Sequence, residues 1–269
     1  MVDNFEIVKN NILKYSHEGE FYMALILKRR KDTKGIMPDG VNEDNRLIKH
    51  YFIYNPAYLE QKRQAIINLC EQNDARAYIL PQRRDCRLVL WALHDKVSDT
   101  LRRGSMNTHF DHLIRSCVAG MHDVTQKTYK RWVIDIDADN PQIIEILKEF
   151  WAKHYPGEKQ PITFVLGVFV DYIVYKLREA LVYPYTCTGL KDRPEAALEF
   201  MPPTCGVNAS TSYTDFDVYQ LRTPHGYHVV TPPFNREPKA IEKYFGFAIS
   251  SSWIKPDALT LIYAPDKIG

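Results

Sequence analysis

A chain of 269 residues can bury a substantial core without disulfide or metal staples. Its 35 Lys and Arg against 33 Asp and Glu leave a net charge of +2, which excludes a global field drawing it to nucleic acid or membrane; any polyanion site must come from local clustering. The 5 cysteines, Cys70, Cys86, Cys117, Cys187 and Cys205, are odd in number, widely spaced and without a CxxC, so free thiols in a reducing compartment are expected.

Met1 to Tyr15 lacks the succession of basic, apolar and small residues of a secretory signal, and a cytoplasmic location is expected. "GEFYMALILKRRK" has the aromatic and aliphatic centre of a strand, and "GIMPDGVNEDN" after it is dense in turn formers. "NPAYLEQKRQAIINLCEQND" predicts a helix capped by Asn55, with Pro56 at its first position. "ARAYILP" predicts a short strand, and "DCRLVLWALHDKVSDTLRRG" a second helix closed by basic residues and Gly104.

"RWVIDID" then predicts a strand and "NPQIIEILKEFWAKHYPG" a helix with Asn140 as cap. The apolar block Thr163 to Tyr183 is interrupted by Asp171, Lys176, Arg178 and Glu179, so it reads as a buried strand or helix and not a bilayer span. Pro184 to Thr214 is rich in Pro, Thr and Ser and reads as irregular. "DFDVYQLRTPHGYHVVTPPFN" gives two strands around the turn "TPHG". A short helix around Pro238 to Phe245 and a final strand, "ALTLIYA", close the chain. With no repeat, no linker and no regular βαβ alternation, the expected class is α+β. An N-terminal helix and strand portion, 1–104, and a catalytic-sheet portion, 105–269, are expected to form one compact unit.

The chemistry concentrates in "WVIDID". Residues two apart on a strand share a face, so Asp135 and Asp137 present two carboxylates together while Ile134 and Ile136 pack behind. Such a pair suits a hard cation: Mg²⁺ takes one or two carboxylates, several waters and substrate phosphates. An edge strand whose acids face water would look the same in sequence. In "RTPHGYHVV", Arg222, His225 and His228 surround a tight turn, and Gly226 lets backbone approach closely. An imidazole there could hydrogen-bond a phosphate.

An apolar run ending in Asp-x-Asp, followed by a small residue, any residue and His ("GYH", Gly226 to His228), resembles the archaeo-eukaryotic primase superfamily of primases and primase-polymerases. The chain looks like small stand-alone phage and bacterial members over roughly Arg76 to Tyr263. That resemblance implies an RRM-like antiparallel sheet flanked by helices, with an N-terminal α/β portion before it. It also implies that Asp135, Asp137 and His228 are catalytic, with Mg²⁺ or Mn²⁺ held by Asp135, Asp137 and a third acid. Asp257 is the choice for that acid, with Asp215 and Asp217 as alternatives. Nucleoside triphosphate would be bound by Arg222, His228 and Thr231. The segment from Thr163 to Thr214 is longer than the family's usual spacer.

A basic face for nucleic acid is expected from Arg76, Arg83, Arg84 and Arg87, with Tyr78 interleaved and Arg102 and Arg103 nearby, although arginine runs are often solvated faces. The same caution applies to "KRRK" at Lys28 to Lys31. His109, His112, Cys117 and His122 match no zinc spacing. No P-loop, GxGxxG, HExxH or GxSxG occurs. The expected activity is a primase-polymerase-like nucleotidyltransfer. A metal-dependent nuclease or phosphodiesterase, or a non-catalytic nucleic-acid-binding module, are the alternatives.

Overall fold

The computed structural model describes residues 1–15, 17–29, 45–104, 113–114, 116–118, 131–186, 218–256 and 258–266. The strands in chain order are β1 (Val2–Asp3), β2 (Glu20–Arg29), β3 (Asn45–Ile53), β4 (Arg76–Ile79), β5 (Arg84–Asp85), β6 (Trp132–Asp137), β7 (Tyr219–Arg222), β8 (Gly226–Thr231), β9 (Ile254–Lys255) and β10 (Thr260–Ala264). The longer helices are α1 (Pro56–Asn73), α2 (Cys86–Arg102), α3 (Pro141–His154), α4 (Ile162–Thr186) and α5 (Pro238–Phe245). The class is α+β, with antiparallel sheets and packed helices. All but the last residue of the turn-rich "GIMPDGVNEDN", most of the irregular stretch and the zinc candidates His109, His112 and His122 lie outside the described residues, as do Cys187 and Cys205.

Local rules explain most of these elements. The Asn55 side chain accepts a hydrogen bond from the Tyr58 amide at 2.7 Å and α1 ends at Asp74 in the left-handed region, φ 48°. Asp85 caps α2 by accepting from the Arg87 amide, and Asn140 caps α3 by accepting from the Gln142 amide. The block from Thr163 onward is the long helix α4; among the described residues no helix is long and apolar enough to cross a membrane.

Two antiparallel sheets result. The first runs β1-β10-β4-β2-β3, with β5 paired to β2; the second runs β7-β8-β6-β9. Along the chain the second sheet is built as strand β6, helices α3 and α4, strands β7 and β8, helix α5 and strand β9. This is a β-α-β-β-α-β succession with its first strand between the third and the fourth, the split βαβ arrangement. It follows from the hairpin at "TPHG", whose Thr223 amide donates to the Gly226 carbonyl, and from helices long enough to cross back over one face.

Ile134, Ile136 and Val229 turn to that helical face and pack with Leu147, Phe150 and Phe169; each such fully buried side chain contributes about 1.5–3 kcal/mol. Val133, Leu221 and Val230 turn the other way, into a core shared with Phe5, Tyr22 and Ile262 of the first sheet region. The boundary expected at 104/105 therefore does not separate two sheets: β10, from the C-terminal end, is inserted between β1 and β4. Two buried amides fasten the sheets. Asn4 Nδ2 donates to the carbonyls of Arg222 and Leu261, and Gln82 Nε2 to those of Arg131 and Pro256.

Candidate functional site

The site lies on the face of the second sheet that looks toward the first. Antiparallel register sets Asp135 opposite His228, Asp137 opposite Gly226 and Val133 opposite Val230. Alternation along β6 puts Val133, Asp135 and Asp137 on this face, with Ile134 and Ile136 behind. Asp135 Oδ1 lies 3.5 Å from His228 Nε2, and His228 Nδ1 lies 3.2 Å from the buried Thr260 hydroxyl on β10. The imidazole is thus held between the two sheets.

On its other oxygen, Asp135 meets Lys255 of the two-residue strand β9, with Nζ 2.6 Å from Oδ2. Burial opposes ionisation of Asp135, but the His228 imidazole and the Lys255 ammonium outweigh it and hold the carboxyl well below the usual carboxylate range. Asp137 Oδ1 accepts from the Asp139 amide at 3.1 Å, and Asp139 Oδ2 lies 2.8 Å from His225 Nδ1. A Cβ on Gly226 would collide with the Ile136 carbonyl oxygen, so the small residue of "GYH" is required by the close approach of β8 to β6.

Other expected site residues are placed elsewhere. Arg222 pairs with Tyr227, and Thr231 with Trp132; both therefore belong to the face opposite His228. Arg222 is exposed there, while Thr231 is fully buried with its hydroxyl donating to the Pro232 carbonyl. The one-residue alternation of a strand separates Arg222 and Thr231 from His228, and a nucleotide held at Asp135 and Asp137 would not meet them directly. Asp257, Asp215 and Asp217 lie outside the described residues.

The expected arginine surface is also redistributed. Arg76, Arg83 and Arg84 are buried. Arg83 Nε lies 3.0 Å from the carboxylate of Glu20, a residue that is itself buried, and Arg84 donates to the Val118 carbonyl and the Gln82 side chain. A buried, paired guanidinium cannot reach a phosphate without stranding its partner. Of the four, Arg87 alone is exposed, 3.8 Å from Asp85. Cys117 is buried, so of the zinc candidates the one that is described faces the core.

Lys255, Thr260 and Gln82 were not singled out by sequence. A two-residue strand carries no periodicity to read, and Thr260 meets His228 only because β10 crosses into the other sheet. Gln82 stands in an arginine-rich turn that draws attention to charge instead.

The donor set, two carboxylate oxygens groups one strand step apart with Asp135 kept ionised, has the chemistry of a hard-cation site completed by water and phosphate. Among the described residues no group of three His, Cys, Asp or Glu side chains could hold a metal ion by itself. No family model, curated protein or solved structure matches this chain.

Proposed function

We propose that the chain is a primase-polymerase-like nucleotidyltransferase that acts on nucleoside triphosphates with Mg²⁺ or Mn²⁺. The observation that carries this reading is the cross-strand placement of Asp135 against His228, with Asp137 on the same face of a split βαβ sheet. The order of Asp-x-Asp and Gly-x-His along the chain, and their meeting on adjacent strands, is what the resemblance to the archaeo-eukaryotic primases implies. The primase-polymerase fold itself is part of the proposal, since a sheet topology is shared by many activities.

Asp135 and Asp137 would hold a divalent cation, which when bound neutralises the triphosphate and polarises phosphoryl oxygens. His228 stands beside them, where an imidazole N–H can donate to a phosphate oxygen while Thr260 fixes the orientation of the ring. Asp257 is the proposed third acid. Buried arginines leave the nucleic-acid surface to the exposed Arg87 at the start of α2 and to the exposed Arg102 and Arg103 at its end.

Pyrophosphate release on mixing the protein with the four nucleoside triphosphates, Mn²⁺ and a primed template tests the reading. Release together with elongated product is the expected result. Cleavage of the template without pyrophosphate would reassign the site to a metal-dependent phosphodiesterase. Neither reaction, with nucleic acid bound equally well in chelator, would leave a binding module.

A further inference from the structure

Lys255 belongs to no part of the motif pattern, yet its ammonium makes the shortest polar contact to Asp135, 2.6 Å at Oδ2. Its backbone is fixed: Lys255 pairs with Val133 on β6, and the carbonyl of Pro256, the next residue, accepts a 2.7 Å hydrogen bond from the buried Gln82, which also holds the Arg131 carbonyl where β6 begins. Its side chain is not fixed in the same way, being 49% exposed against 32% for that of Asp135. An anchored backbone with a half-exposed, flexible amine is the construction of a charge that can be replaced.

From this we infer that Lys255 is an exchangeable counter-cation: it neutralises Asp135 while no divalent ion is bound and leaves Oδ2 when one arrives. The inference rests on the reading of Asp135 as a cation ligand. Two cations at one carboxylate oxygen repel, so the ammonium and the metal compete for it. The device keeps a half-buried carboxylate paired whenever no metal is bound, where it would otherwise face burial without compensation. It also sets metal affinity below what the two acids alone would give.

Titration of the full chain with Mn²⁺, followed by the electron paramagnetic resonance of the free ion, reads this directly. Lys255→Met is expected to tighten Mn²⁺ binding roughly fivefold, the scale of a half-exposed ion pair, and Lys255→Arg, which keeps the charge, to stay near wild type. A parallel measurement needs no variant: acetylation of Lys255 in the wild-type protein should speed up when Mn²⁺ is added. If wild type binds Mn²⁺ and Asp135→Asn abolishes binding, but Lys255→Met is unchanged or weaker and acetylation does not respond, the counter-cation is overturned and the metal site stands. Absence of Mn²⁺ binding in wild type overturns both.

Discussion

Asp135 and His228 stand directly opposite each other on β6 and β8, carboxylate Oδ1 3.5 Å from imidazole Nε2, and the same imidazole reaches across to Thr260 of the other sheet. The pair therefore depends on both sheets being assembled. The strand register supplies the facing, and the inserted β10 supplies the orientation of the ring.

Thr260→Val tests that orientation. The substitution keeps the shape and removes the hydroxyl, leaving a half-buried imidazole nitrogen without this partner at a cost of about 1 kcal/mol. Activity is expected to fall, because the His228 ring is no longer held in its orientation from the Nδ1 side, while Thr260→Ser, which retains the hydroxyl, restores wild-type activity. Equal activity in all three proteins would remove Thr260 from the site.

Gly226→Ala tests the register. A Cβ at this position meets the Ile136 carbonyl and not a flexible side chain, so β8 must shift away from β6. Denaturant unfolding is expected to show a loss of about 1–3 kcal/mol, with activity lost as well, since the displaced strand carries His228. A variant as stable as wild type would contradict the close approach of β8 to β6.

The Asp135 carboxyl gives a pH dependence. Its folded value is depressed, so the stabilisation is present above the unfolded value near about 4 and is lost as pH falls through the lower folded value. Urea midpoints of wild type and Asp135→Asn should differ at pH 7 in favour of wild type, and the gap should close progressively below about pH 4. A gap independent of pH would show that the ionised form is not the one being stabilised.

The arginine turn separates two kinds of charge. Arg83→Met removes a buried cationic partner of the buried Glu20 carboxylate and is expected to cost about 3–5 kcal/mol. Arg87→Ala removes an exposed charge, should change stability by less than about 0.5 kcal/mol, and should weaken nucleic-acid binding with a reduced salt slope. Unfolding curves and salt-dependent binding isotherms distinguish them.

Much of this molecule is legible in its sequence, for identifiable reasons. Asn55 and Asn140 cap helices because their side chains accept from amides two or three residues on, which is a local matter. The facing of Asp135 and Asp137 follows from strand alternation, and the hairpin from "TPHG". What sequence could not supply is long-range pairing. The same alternation that unites Asp135 with Asp137 sends Arg222 and Thr231 to the far face once the register is known. "QRRD" reads as a basic patch until its arginines are seen to satisfy buried carbonyls and Glu20. Lys255 reaches Asp135 from a strand too short to announce itself.

The measurement that bears most directly on the site is template-dependent incorporation of labelled nucleotide by wild type, Asp135→Ala and Asp137→Ala in the presence of Mn²⁺. Incorporation by wild type and a loss of at least about a hundredfold in each variant, with the variants still folded, is the expected result. Variants that incorporate nucleotide as wild type does would contradict a catalytic role for the two acids, and with it the nucleotidyltransferase.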